Sequence, residues 1–84
     1  MELMTRAQVL EIVMQQVREV LPQVATAELR PEVSLRELGA NSLDRMEVVS
    51  LAMQALSLRF PVRELSKVSN IGELADALYE RLSR

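Results

Sequence analysis

Three times along these 84 residues a polar side chain stands just ahead of an apolar run with helical spacing. That repetition constrains the fold more than any other feature of the sequence. Thr5 with Gln8 has the pattern of a capping box, in which the side chains at the two ends of a first turn satisfy each other's backbone amides. Val9, Ile12, Val13, Gln16, Val17 and Val20 then recur every three or four residues, predicting a helix that ends near Leu21. Pro22 stops it, because proline has no amide hydrogen and disfavours helical geometry in the residue before it. Asn41 or Ser42 caps a second helix, about Ser42 to Leu56, with Asp44 and Glu47 suited to the positive end of its dipole. Asn70 with Glu73 repeats the box with asparagine as cap, and Ile71, Leu74, Ala75, Leu78 and Leu82 mark a last helix.

The segments between them are short of regular signal but not of anchors. From Pro22 to Ala40 runs a connection too long to be left unpacked in a compact domain. Val24, Leu29, Val33, Leu35 and Leu38 are spaced to hold it on the core, and Ser34 with Glu37 marks a short capped turn leading to Gly39. Phe60 and Val62 flank Pro61 as further anchors, with a short helix expected at about Val62 to Lys67. Aromatic residues are confined to Phe60 and Tyr79, so aliphatic side chains and five methionines must fill the interior, which suits helix on helix. The expected fold is all-α, a small four-helix bundle of three longer helices and one short helix with a long first loop, in a single domain spanning 1–84.

Composition removes several kinds of function. With no cysteine and no histidine, the chain lacks thiolates and the commonest general base and metal ligand, so neither self-contained nucleophilic catalysis nor zinc binding is expected. A net charge of −2 with scattered basic residues does not point to nucleic acid. No apolar run is long enough for a membrane span, and Met1 to Arg6 lacks the apolar core of a signal peptide. A monomeric, cytoplasmic protein without a membrane partner is the expectation.

The chemistry concentrates at residues 38–47, where Gly39 permits a turn and a serine hydroxyl is presented at a helix start. Leu-Gly-Ala-Asn-Ser-Leu-Asp-Arg resembles the modification site of acyl carrier proteins, whose usual form is Leu-Gly-Ala-Asp-Ser-Leu. The long first loop with its Leu-Gly ending is similar too, so the resemblance covers almost the whole chain. It implies the acyl-carrier type of helical bundle and places Ser42 where that family attaches 4′-phosphopantetheine, whose terminal thiol carries acyl groups as thioesters. The implied donor of the arm is coenzyme A, and the implied partner a phosphopantetheinyl transferase, which alone needs Mg²⁺. A phosphodiester at a helix N-terminus is favoured by about 0.3–1 kcal/mol. Taken without this context, Ser42 reads as an ordinary helix cap.

Helical spacing directs Met46, Val48, Val49, Ala52, Met53 and Leu56 to the buried side of the second helix and Leu43, Asp44, Glu47, Ser50, Leu51 and Gln54 to the other. Two leucines, Leu43 and Leu51, among short polar residues make that outer side a candidate docking surface, a reading that the resemblance favours over contact of both leucines with the neighbouring loop. Asn41 replaces the family's usual aspartate, and Met53, Gln54 and Ala55 stand where fatty-acid carriers tend to be acidic. Gly-Ala-Asn-Ser-Leu-Asp-Arg, followed by Asn-Ile-Gly-Glu-Leu from Asn70, is more similar to free-standing donor carriers of polyketide β-branching cassettes. That resemblance implies an acetyl cargo handed to a hydroxymethylglutaryl-synthase-like enzyme, with Asn41, Leu43, Asp44, Arg45 and Glu47 around its docking site. It also implies a decarboxylating ketosynthase and an acyltransferase upstream. A carrier for general polyketide, fatty-acid or aminoacyl transfer, and an unmodified helical adaptor, remain as the other readings; an enzyme is the least favoured.

Overall fold

The computed structural model describes residues 4–26 and 28–83. Met1, Glu2 and Leu3, part of the stretch read as lacking the apolar core of a signal peptide, lie outside them. Helix α1 spans Arg6–Val20, α2 spans Ser42–Ala55 and α3 spans Ile71–Leu82, with 3₁₀ turns at Pro22–Val24 and Val62–Leu65. All three predicted starts are present. The Thr5 hydroxyl accepts from the Gln8 amide at 3.1 Å while the Gln8 side chain accepts from the Thr5 amide at 2.8 Å. Asn41 caps α2 in the same reciprocal manner with Asp44. At α3, Asn70 accepts from the Glu73 amide at 2.7 Å, but the expected box is not closed, because the Glu73 carboxylate accepts from the Ser69 amide instead. Asn41, not Ser42, is the cap of α2.

Helix α1 is the central element and packs along both of the others. Val9, Val13 and Val17 are wholly buried on it, facing Val48 and Ala52 of α2 and Ile71, Leu74, Ala75 and Leu78 of α3. At about 1.5–3 kcal/mol for each fully buried valine, leucine or isoleucine, this aliphatic seam is the main favourable term holding the bundle. Met14 also reaches the core, although spacing had not assigned it there.

The long connection is packed as expected. Val24, Leu29 and Leu35 are buried, and Val33 and Leu38 are half-buried. Ser34 and Glu37 form a reciprocal cap, with the Glu37 amide donating to Ser34 Oγ at 3.0 Å. The connection also reaches across to α3: the Ile71 amide donates to the Val33 carbonyl at 3.1 Å and the Gly72 amide to the Pro31 carbonyl at 2.8 Å. Two amides that a helix start leaves without internal partners are thereby satisfied by backbone from another segment.

Two features differ from expectation. The short element after Pro61 is a 3₁₀ turn ending at Leu65, where only Leu65 is buried. It is held to α3 by Arg81, which pairs with Glu64 and stacks over the Phe60 ring at 4.2 Å from its centroid. Met46, expected on the buried side of α2, is instead 54% exposed. Helical spacing gives the direction in which its side chain leaves the helix, but along that direction the first turn of α2 meets an open groove.

Candidate functional site

Residues 38–47 enter the site through a tightly determined turn. The Gly39 amide donates to the Arg36 carbonyl at 3.0 Å and the Ala40 amide to the Leu35 carbonyl at 3.0 Å. Gly39 has φ +94°, a backbone conformation that side-chain-bearing residues resist. Gln23, which the sequence reading did not single out, donates from its side-chain amide to the Leu38 carbonyl at 3.2 Å. That bond braces the turn from the far side of the connection.

At Asn41 the chain is extended, and at Ser42 it becomes helical. Asn41 Oδ1 accepts from the Asp44 amide at 2.8 Å, and Asp44 Oδ2 accepts from the Asn41 amide at 3.1 Å. The carboxylate of Asp44 therefore points back toward the helix start. Ser42, at the first helical position, has its hydroxyl exposed, and Arg45 Nη2 donates to Ser42 Oγ at 3.3 Å. No carboxylate, amine or other base is bonded to that oxygen among the described residues, so its nucleophilicity is not raised from within the chain.

The expected site residues fall into two groups. Asn41, Ser42, Leu43, Arg45 and Glu47 are exposed and Asp44 half-buried, all within the first turns of α2. Leu43 is 76% exposed, the most exposed large apolar side chain of the core-forming helices, and Met46 joins it on the surface. Leu51 sits farther along α2 and is half-buried. The outward apolar patch is thus Leu43 with Met46, rather than Leu43 with Leu51.

Beside Ser42 lies an open groove of about 640 Å³ between α2, the 3₁₀ turn at Val62–Leu65 and the start of α3. Met46, Val49, Val62, Leu65, Val68 and Leu74 supply its apolar walls, and Ser42 and Arg45 stand on its lining. Arg36 and Arg63 also line it, and no acidic residue does. The three arginines come from three separate segments, so nothing in the linear order of the sequence marks their convergence. Among the described residues no cluster of acidic side chains suited to a metal ion is present, and no helix is long and apolar enough to cross a membrane.

Comparison with known proteins supplies three further findings. Residues 11–78 match the family model described as the phosphopantetheine attachment site. The polyketide biosynthesis acyl-carrier-protein AcpK of Bacillus subtilis (strain 168) is 42% identical over 79 residues, covering 94% of this chain and 96% of that protein. Among solved structures, the complex of the curacin biosynthetic pathway HMG synthase with its acetyl donor acyl carrier protein contains a chain that superposes with a TM-score of 0.87. That chain is 40% identical, and the match covers 92% of this chain and 99% of the other.

Proposed function

The chain belongs to the phosphopantetheine-attachment family of acyl carrier proteins, and from that premise we propose that it is an acetyl donor for polyketide β-branching, modified at Ser42. The observation that carries the donor reading is the likeness, at 40% identity over nearly the full length of both chains, to a protein solved with an HMG synthase as its acetyl donor. The likeness to a polyketide carrier supports the same pathway class.

The residues present fit the arm. The Ser42 hydroxyl is accessible at the mouth of a groove whose lining holds no carboxylate to repel a phosphodiester. In the transfer, Ser42 Oγ attacks phosphorus in the pyrophosphate of coenzyme A, an oxygen–phosphorus bond forms, and the phosphoanhydride bond breaks to release the adenosine bisphosphate. The serine proton leaves to a base of the transferase, because among the described residues no base is bonded to Ser42 Oγ. When attached, the arm supplies a thiol that carries an acyl group as a thioester.

Everything else the chain does is positioning and recognition. The Asn41–Asp44 cap fixes the start of α2, and the Gly39 turn braced by Gln23 fixes the approach to it. Leu43 and Met46 offer an apolar contact to the synthase-like partner, with Arg45 and Glu47 beside them. A decarboxylating ketosynthase and an acyltransferase complete the set of partners. The chain acts as a single carrier domain in the cytoplasm, and partner enzymes perform each bond change.

The testing experiment is intact-protein mass after incubation with coenzyme A, Mg²⁺ and a phosphopantetheinyl transferase, run beside Ser42→Ala. One phosphopantetheine added to the wild type and none to the variant is expected. The acetylated form should then lose its acetyl group to an HMG-synthase-like enzyme. Modification without acetyl transfer to any such synthase would retain a carrier and discard the donor role.

A further inference from the structure

Resting on the reading of Ser42 as the attachment point, we propose that Arg45 is a positioning residue that clamps the arm's phosphodiester and turns the arm toward the groove. Serine and arginine three positions apart on a helix share one face, and here the guanidinium already lies against the hydroxyl, 3.3 Å from Ser42 Oγ. A neutral hydroxyl is a weak partner for a guanidinium. Once Oγ becomes an ester oxygen, the two non-bridging phosphate oxygens beside it carry the negative charge, and a planar fork of N–H donors matches such a pair.

The surroundings leave Arg45 available for that use. Among the described residues it makes no ion pair, whereas Arg6 pairs with Asp76 and Arg81 with Glu64. Asp44, the nearest carboxylate along the helix, is held by the Asn41 amide. The groove that Ser42 and Arg45 share has Arg36 and Arg63 on its lining and no acid, although the chain as a whole is net negative. An anion on Ser42 is therefore drawn to the groove side of α2, away from Glu47. Arg45 has thus a role within the carrier that needs no partner protein to be present.

The test compares wild type, Arg45→Met and Arg45→Lys, each before and after modification with coenzyme A, Mg²⁺ and a transferase, with loading checked by intact mass and no partner added. Comparing the two forms of each variant cancels any effect of the substitution on folding alone. Modification is expected to shift the Tm of the wild type upward, relative to the same step in Arg45→Met, by about 2–5 °C at low salt. Arg45→Lys should recover part of that difference, and 1 M salt should remove most of it. The phosphorus-31 resonance of the attached phosphodiester should differ between wild type and Arg45→Met at low salt and converge as salt rises. Equal Tm shifts with coincident resonances would overturn the clamp and leave attachment at Ser42 standing. Absence of any mass gain in the wild type would overturn both.

Discussion

Gly72 lies against Pro31: its amide donates to the Pro31 carbonyl at 2.8 Å, and a Cβ built on it would meet Pro31 Cβ at 3.1 Å and the carbonyl oxygen at 3.2 Å. The glycine is there because backbone from the long connection needs that space. Gly72→Ala gains helix propensity of roughly 1 kcal/mol but forces the connection outward, and overpacking of this kind costs about 1–3 kcal/mol. We expect a net loss of about 1 kcal/mol, a fall in Tm of roughly 4–8 °C for a domain this small. Thermal melting of the variant checks it; an unchanged or raised Tm would mean that the contact yields without cost.

Ser57 ends α2 in the left-handed conformation, with φ 57°. The Leu58 amide donates to the Met53 carbonyl at 2.9 Å and the Ser57 amide to the Gln54 carbonyl at 3.1 Å, the paired bonds of a Schellman motif in which glycine is the usual occupant. Ser57→Gly should therefore stabilise the protein by about 0.5–1 kcal/mol, measured as a higher midpoint in urea with an unchanged slope.

Glu73 is held below its ordinary pKa of 4.5, first by the Ser69 amide, which donates to its carboxylate at 2.8 Å, and then by the Ser69 hydroxyl at 2.9 Å. Folding thus favours the charged form. The stability this adds is present above the unfolded-state pKa and is lost as pH falls through the lower folded value. Melting wild type and Glu73→Gln across a pH series should show the wild type ahead at neutral pH and the gap closing below about pH 4.5. A gap that persists undiminished in acid would assign it to shape rather than charge.

Leu43 and Met46 are exposed, so truncating them should leave folding nearly untouched, within about 0.5 kcal/mol. If they form the apolar contact with a synthase-like partner, Leu43→Ala and Met46→Ala should each weaken that complex by about 1–2 kcal/mol, or roughly 5- to 30-fold in Kd. Calorimetric titration of the modified carrier reads this directly. A Kd unchanged in both variants would remove the patch from the interface.

What the sequence made legible was whatever is local. Thr5, Asn41 and Asn70 announce helix starts because a cap and its partner lie within one turn, and the Ser34–Glu37 pair is read for the same reason. The exposed serine follows from the turn at Gly39 and the cap beside it. What stayed hidden depends on residues far apart in the chain. Met46 shares a helical stripe with Val49 and Met53, yet only the latter two are buried, because the groove opens beside the start of α2. Spacing also could not show that Arg36, Arg45 and Arg63 converge, or that Gln23 braces the Leu38 carbonyl.

The bonds from Ile71 and Gly72 to the carbonyls of Val33 and Pro31 join positions roughly forty residues apart, so they form only after a loop of that length has closed. Ser42 precedes α3 in the chain and so leaves the ribosome before it. A nascent chain in that interval presents the acceptor hydroxyl but lacks the groove wall contributed by Asn70 and Leu74. The seat beside Ser42 is thus complete only once α3 has docked, and a transferase that reads the groove as well as the serine would act only on the folded domain.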